Sequence, residues 1–241
     1  MKKESDLTRP DKVVTIYSDQ EDECEAWPFI KTAAWEMVRN ACAAALIEHG
    51  LIVITGNPGM GKTRCLLEYA KREMPIPPLF LACRTQMRAG DLIRKIAHEL
   101  ELDARQSAPK LEAEIIARLK QQPQALFIDD ADRLNERGLA TLSHLWDQAQ
   151  VAVVLAGEPG LYERIKSIEM VESRVSAYWM LADLSDEEIT SLLRKVAGDR
   201  LSQAELATIR RLTGGTFKQV GRLLLIVDRL LALKAAGKEA N

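Results

Sequence analysis

The residues best suited to chemistry lie together. Gly56, Asn57, Pro58, Gly59, Met60, Gly61, Lys62 and Thr63 satisfy the pattern G-x-x-x-x-G-K-[ST] in full. Glycines in such a loop let the backbone curl until successive N–H groups point inward, a geometry that cradles phosphate oxygens. A helix starting where the loop ends adds the positive end of its dipole. Lys62 is then expected to place its ammonium on the β- and γ-phosphates, and Thr63 to offer its hydroxyl to Mg²⁺. Arg64 follows directly and is grouped with the loop as a phosphate contact. The expected cofactors are ATP and Mg²⁺.

A metal at that point needs a carboxylate from the end of an apolar strand. Ala125-Leu126-Phe127-Ile128-Asp129-Asp130 supplies one. Asp129 is expected to hold Mg²⁺, directly or through water, as in other P-loop NTPases. Asp130 stands where many such ATPases carry a glutamate that activates the attacking water. Aspartate is one methylene shorter, so its carboxylate sits further from that water, and hydrolysis is expected to be slow. The alternative role for Asp130 is to cap the following helix.

These residues require a frame. Leu51-Ile52-Val53-Ile54-Thr55 is an unbroken apolar run of the kind found in parallel strands buried on both faces. Residues 79–83, 125–128, 151–156 and 177–181 read as further strands. Helices are expected over 27–49, 63–72, 91–100, 110–120 and 139–148. In the first of these, Trp35, Val38, Cys42, Ala45 and Leu46 share one face, and Gly50 can stop the helix. The alternation predicts an α/β fold, a three-layer parallel sheet with helices on both faces. After Leu184 the strands stop. Ser185-x-x-Glu188 and Ser202-x-x-Glu205 have capping-box spacing and start two helices, and a third is expected from about 216 to 234. Three parts follow: an N-terminal arm over 1–25, a nucleotide-binding domain over 26–184, and a small helical lid with a basic tail over 185–241.

The chain has 241 residues, of which 47% are apolar and 28% charged, an ordinary balance for a globular protein with a sizeable core. No apolar run reaches the roughly 18 residues of a membrane span. The lysines at the start are followed by no apolar segment, so no signal peptide is expected. Cysteines 24, 42, 65 and 83 form no C-x-x-C pair and read as free thiols in a reducing cytoplasm. The net charge of −2 hides a gradient: residues 1–25 carry four basic and eight acidic groups, residues 201–241 seven basic and three acidic. The two ends can serve different partners or simply be solvated.

The segments GNPGMGKT, ALFIDDADRL, VAVVLAGEPGLYERI, ESRVSAYWML and LTGGTFKQVGRLL resemble AAA+ ATPases over about residues 27–235. More narrowly, they resemble the DNA-transposition regulators of the Mu B, TnsC and TniB type. Secretion ATPases of the ExeA type share most of the pattern. The resemblance implies that Arg174, in Glu172-Ser173-Arg174-Val175, is an arginine finger that reaches the γ-phosphate held by a neighbouring subunit. A surface salt bridge is the alternative. Lys218, after Thr213-Gly214-Gly215, stands where the lid's sensor is usually arginine, and Arg222 shares its helical face at i, i+4. Glu158 departs from the pattern: relatives tend to carry a small polar residue there, and a carboxylate repels phosphate unless it turns away or pairs with a cation.

The resemblance further implies subunits that assemble as a ring or helical filament on duplex DNA, with contacts mainly to phosphates, and that recruit or activate a transposase. Arg84, Thr85 and Arg88 form one candidate DNA-binding cluster, and Arg133 and Arg137 a second. Solvated loops are the alternative for both. Trp27-Pro28-Phe29 is expected to pack on the first helix or to wall the adenine. The other readings are a helicase loader, a secretion-type assembly ATPase and, less well matched, a small-molecule kinase.

Overall fold

A computed structural model of the protein describes residues 29–83 and 86–197, with 202, 204, 205, 207, 208 and 211. Arg84, Thr85, Lys218, Arg222, Trp27, the N-terminal arm and the expected third lid helix lie outside the described residues.

The apolar run Leu51–Thr55 is β1, and all of it is buried. Around it the chain alternates. Helix α1 (Ala33–Glu48) precedes β1, and then come α2 (Lys62–Glu73), β2 (Leu79–Ala82), α3 (Ala89–Glu99), α4 (Ala108–Gln121) and β3 (Leu126–Asp129). A short 3₁₀ turn at Ala131–Arg133 leads to α5 (Glu136–Ala149) and β4 (Val153–Gly157). Two short helices, α6 (Gly160–Lys166) and α7 (Glu169–Glu172), precede β5 (Val175–Met180), and α8 (Asp186–Ala197) follows it. The five strands are all parallel, in the order β2-β3-β4-β1-β5. The α/β class and the layered arrangement expected from the sequence are present.

The period of two along each strand divides the core into two halves. Ile52, Ile54, Phe80, Phe127 and Val154 face α1 and α2. Leu51, Val53, Leu81, Leu126, Ile128, Val153 and Leu155 face the layer made by α3 to α7. Both faces need apolar residues, which is why β1, β3 and β4 read as continuous apolar runs. The edge strand β5 is only half-buried.

Local signals set the ends of the elements. Thr32 caps α1 by accepting the Trp35 N–H at 3.2 Å. That helix starts at Ala33, later than the expected 27, and it closes on His49, a non-glycine residue in the left-handed region at φ 49°. Gly50 is needed for a different reason: a Cβ there would stand 2.9 Å from Ser176 Oγ in β5. The expected capping box forms at α8, where Ser185 N–H donates to Glu188 Oε2 at 2.8 Å and Glu188 N–H donates to Ser185 Oγ at 3.2 Å. The second oxygen of Glu188 accepts the Ala33 N–H at 2.6 Å, tying the start of α8 to the start of α1. Ser202 and Glu205 make the same reciprocal bonds at 2.8 and 3.3 Å.

Candidate nucleotide site

Between the end of β1 and the start of α2, residues 56–61 turn the chain from the carboxyl edge of the sheet into a helix. Gly59 and Gly61 take φ values of 84° and 82°, which side chains rarely tolerate. Met60 buries its side chain in the core beneath the loop, so it has only its backbone to offer a ligand.

Lys62 is the buried cation of the site. Its ammonium donates to the Gly56 carbonyl at 2.7 Å and to the Asn57 carbonyl at 3.1 Å. Burial pushes its pKa below the ordinary lysine value, and Asp129, Asp130, Glu158 and Asp132 oppose that shift. Two neutral carbonyls are weaker partners for an ammonium than phosphate oxygens, because the phosphates carry full negative charge and add a Coulomb attraction. The loop therefore holds Lys62 in place while leaving it a better ligand to gain.

Thr63 lies in the first turn of α2, and its Oγ1 donates to Asp129 Oδ2 at 2.5 Å. Asp129 ends β3 and is 3% exposed. A hydroxyl and a carboxylate meeting beside a phosphate-shaped loop are hard oxygen donors of the kind Mg²⁺ takes, with its remaining ligands from phosphates and water. The residues fit a Mg²⁺–nucleotide. When bound, the ion would neutralise phosphate charge.

Asp130 turns the chain at φ 52°, and its side chain is 43% exposed, with Oδ2 at 3.6 Å from Arg133 Nε. It makes no cap bond. The next helix is capped instead by Asn135, whose Oδ1 accepts the Gly138 N–H at 2.8 Å. The carboxylate of Asp130 thus stays at the mouth of the site.

Three further residues organise this edge. Asp132 Oδ1 accepts the Glu158 N–H at 3.0 Å. Gly157 is packed so closely that a Cβ there would stand 2.7 Å from the same oxygen. Arg164 donates through Nη1 to the carbonyls of Asp132 at 2.7 Å and Leu134 at 2.5 Å. These contacts hold the Glu158 backbone to the segment after Asp130, while the Glu158 side chain is exposed. Asp132 lies inside the acid run of the motif and had a signal in the sequence. Arg164 had none.

The two basic segments read separately in the sequence meet. Met87 forms an isolated parallel bridge with Leu134. Its N–H donates to the Arg133 carbonyl at 3.0 Å, and its carbonyl accepts the Asn135 N–H at 3.2 Å. Arg88, Arg133 and Arg137 are all exposed and lie on or beside this bridge. Arg64 turns along its helix instead, with Nη2 at 3.2 Å from Glu68 Oε1. Phe29 packs edge-to-face on Trp35 with centroids 4.9 Å apart, the core-packing role.

Arg174 precedes β5, so it sits at the amino edge of the sheet, opposite its own phosphate loop. Its Nε donates to Asp147 Oδ2 at 2.5 Å and its Nη1 to the Met170 carbonyl at 2.6 Å. It cannot serve its own site from there.

Residues 47–165 match the family described as the AAA domain. The chain is 29% identical over 143 residues to the Mu-like prophage FluMu DNA transposition protein B of Haemophilus influenzae, covering 59% of this chain and 50% of that one. It is 24% identical over 140 residues to the ATP-dependent target DNA activator B of Escherichia phage Mu, covering 57% of this chain and 44% of that protein. The chain thus spans about half the length of the curated relatives it matches. Among solved structures, the Aeropyrum pernix ORC1 protein in complex with DNA aligns with a TM-score of 0.64 at 15% identity, over 94% of this chain and 65% of that one. Cdc6p from Pyrobaculum aerophilum aligns with a TM-score of 0.63 at 18% identity, over 96% and 68%. These likenesses establish the fold. β1 opens into the phosphate loop, and β3, two places along the sheet with β4 between them, ends in Asp129: within the residues 47–165 that match the AAA domain, this is the arrangement of a P-loop ATPase.

Proposed function

We propose that the protein is an ATP-dependent DNA-binding regulator of transposition. Copies assemble on duplex DNA with ATP between them, without strong sequence preference, and the assembly recruits or activates a transposase. The observation that carries this reading is the Met87–Leu134 bridge, which joins the Arg88 segment and the Arg133–Arg137 segment directly behind Asp129 and Asp130. Cations placed there sense the state of the nucleotide edge, and their chemistry suits phosphate backbones. The likeness to transposition proteins B supports the same biology.

The roles divide among the chain's own residues. Lys62 and the amides of residues 56–63 bind the phosphates, and Thr63 and Asp129 hold Mg²⁺. Asp130 orients the attacking water; its short, exposed side chain supports slow hydrolysis that times assembly. Arg174 acts on a neighbour's triphosphate, and Lys218 or Arg222 supplies a cation from the lid. Arg84 and Thr85 add to the DNA contacts made by Arg88, Arg133 and Arg137.

The test is DNA binding by fluorescence anisotropy, with and without ATP, across a salt series, for the protein and for the Arg88→Ala/Arg133→Ala/Arg137→Ala variant. ATP-dependent binding is expected to weaken on all sequences alike. The salt slope is expected to flatten by about 0.9 for each phosphate contact removed. Unchanged affinity in the variant removes the DNA assignment. A particle that stays monomeric with a non-hydrolysable analogue and duplex DNA removes the assembly.

A further inference from the structure

Arg174 is anchored by two elements at once. Asp147 in the last turn of α5 takes its Nε–H at 2.5 Å, and the Met170 carbonyl in α7 takes an Nη1 hydrogen at 2.6 Å. Its Nη2 has no partner among the described residues, and the side chain is 31% exposed. Asp147 is itself seated: its neighbour Trp146 donates Nε1–H to the His49 carbonyl at 2.6 Å, fixing that end of α5 to the turn before β1.

A long arginine side chain in water samples many rotamers, and each bond it makes to a remote anion costs that freedom. Here the freedom is already spent inside the chain. Asp147 and Met170 hold two of the three nitrogens, Nη2 keeps no partner among the described residues, and the pair stays in contact with water. A latch that silenced the arginine would bond all three of its nitrogens.

We propose that Asp147 is the positioning residue of Arg174. It fixes the guanidinium so that Nη2 is presented to the triphosphate bound by an adjacent copy. This rests on the reading of Arg174 as acting on a neighbour, and the experiment separates the two.

Full-length variants are mixed on duplex DNA with ATP. Lys62→Ala keeps Arg174 and lacks a working site; Arg174→Ala keeps the site and lacks the arginine. Their mixture is expected to regain hydrolysis that neither shows alone. Full activity of Arg174→Ala alone, or a mixture that stays inactive, overturns the role of Arg174 and with it this proposal.

With that control in hand, Lys62→Ala/Asp147→Ala replaces Lys62→Ala. The regained kcat is expected to fall roughly tenfold or more, as misplaced catalytic groups do. The KM for ATP should not move, because the ATP-binding copy is unaltered. Lys62→Ala/Asp147→Asn keeps an oxygen for the Nε–H and is expected to recover to within about threefold of the control, given that geometry is what the residue supplies. Undiminished hydrolysis with Asp147→Ala overturns the positioning role, and increased hydrolysis shows a latch instead. Loss of the variant from the assemblies, read by sedimentation of the same mixtures, shows a structural role and also overturns it.

Discussion

Thr63 Oγ1 donates to Asp129 Oδ2 at 2.5 Å, joining the first turn of α2 to the end of β3 although β4 lies between β1 and β3. The contact brings together two oxygen donors of the kind Mg²⁺ takes. Replacing Asp129 with asparagine keeps the shape and removes the charge. ATP hydrolysis is expected to fall by about 100-fold or more, since the metal's charge stabilisation is worth several kcal/mol. Isothermal titration with and without Mg²⁺ should show that the metal-dependent part of ATP affinity is lost. Hydrolysis within a few-fold of the parent would remove Asp129 from the metal site.

Gly157 ends β4 against Asp132. An added methyl would meet Asp132 Oδ1 at 2.7 Å, Leu161 Cδ2 at 2.9 Å and the Asp132 backbone nitrogen at 3.1 Å. The carboxylate can swing aside, but then the Glu158 N–H loses its acceptor; the backbone atom cannot yield as easily. Gly157→Ala is expected to cost about 1–3 kcal/mol, the usual range for overpacking. Thermal unfolding measures it. An unchanged melting temperature would mean that this edge is looser than its geometry.

Arg164 bonds two successive-but-one carbonyls of the segment that carries Arg133. Arg164→Met keeps the stem and removes the donors. The loss is expected to be about 1–3 kcal/mol in stability, because half-buried carbonyls are left unsatisfied. DNA affinity is expected to fall while ATP affinity is retained, since the phosphate loop belongs to another segment. Equal losses of both ligands would show that the whole edge had collapsed.

Three buried thiols give the fold a sign of pH dependence. Burial pushes Cys65 and Cys83 up to about 12 and raises Cys42 as well. Folded thiols therefore keep their protons where unfolded ones, near pH 8.5, lose them. The native state binds more protons in that window, so stability is fully present below about pH 8.5 and falls as pH rises toward 12. The slope is up to about 1.4 kcal/mol per pH unit for each thiol. Urea midpoints between pH 8 and 10 should record it, and Cys65→Ala should make the slope shallower. A slope unaffected by that change would assign the loss to other groups.

Much of this was legible in the chain. Unbroken apolar character and a glycine on either side mark the five residues of β1 in the sequence. The phosphate loop and the two acids were readable because their chemistry demands a fixed spacing. The ends of β4 were less clear. Val151 and Ala152 are buried and apolar yet precede the strand, since burial and pairing are different constraints. α6 and α7 are not legible in the chain, because helices of one or two turns carry too little periodicity. The partner of Arg174 is invisible in the chain: Asp147 lies in another helix, and only the packing of α5 against α7 in the same layer brings the two together. His49 closing a helix in a glycine's conformation is a similar case, where the bonds of its turn override intrinsic preference.

α5 begins at Glu136, just behind the acids of the nucleotide edge, and ends beside Asp147 at the far edge, a span of roughly 21 Å for fourteen residues. A rigid rod pinned at both extremities cannot tilt at one without moving the other. In a head-to-tail array of identical copies, each protomer would sense its own fuel at one pole and act on the next protomer's fuel at the other. Signals along such an array would have a direction, so its two ends would differ in how readily they grow and dissolve.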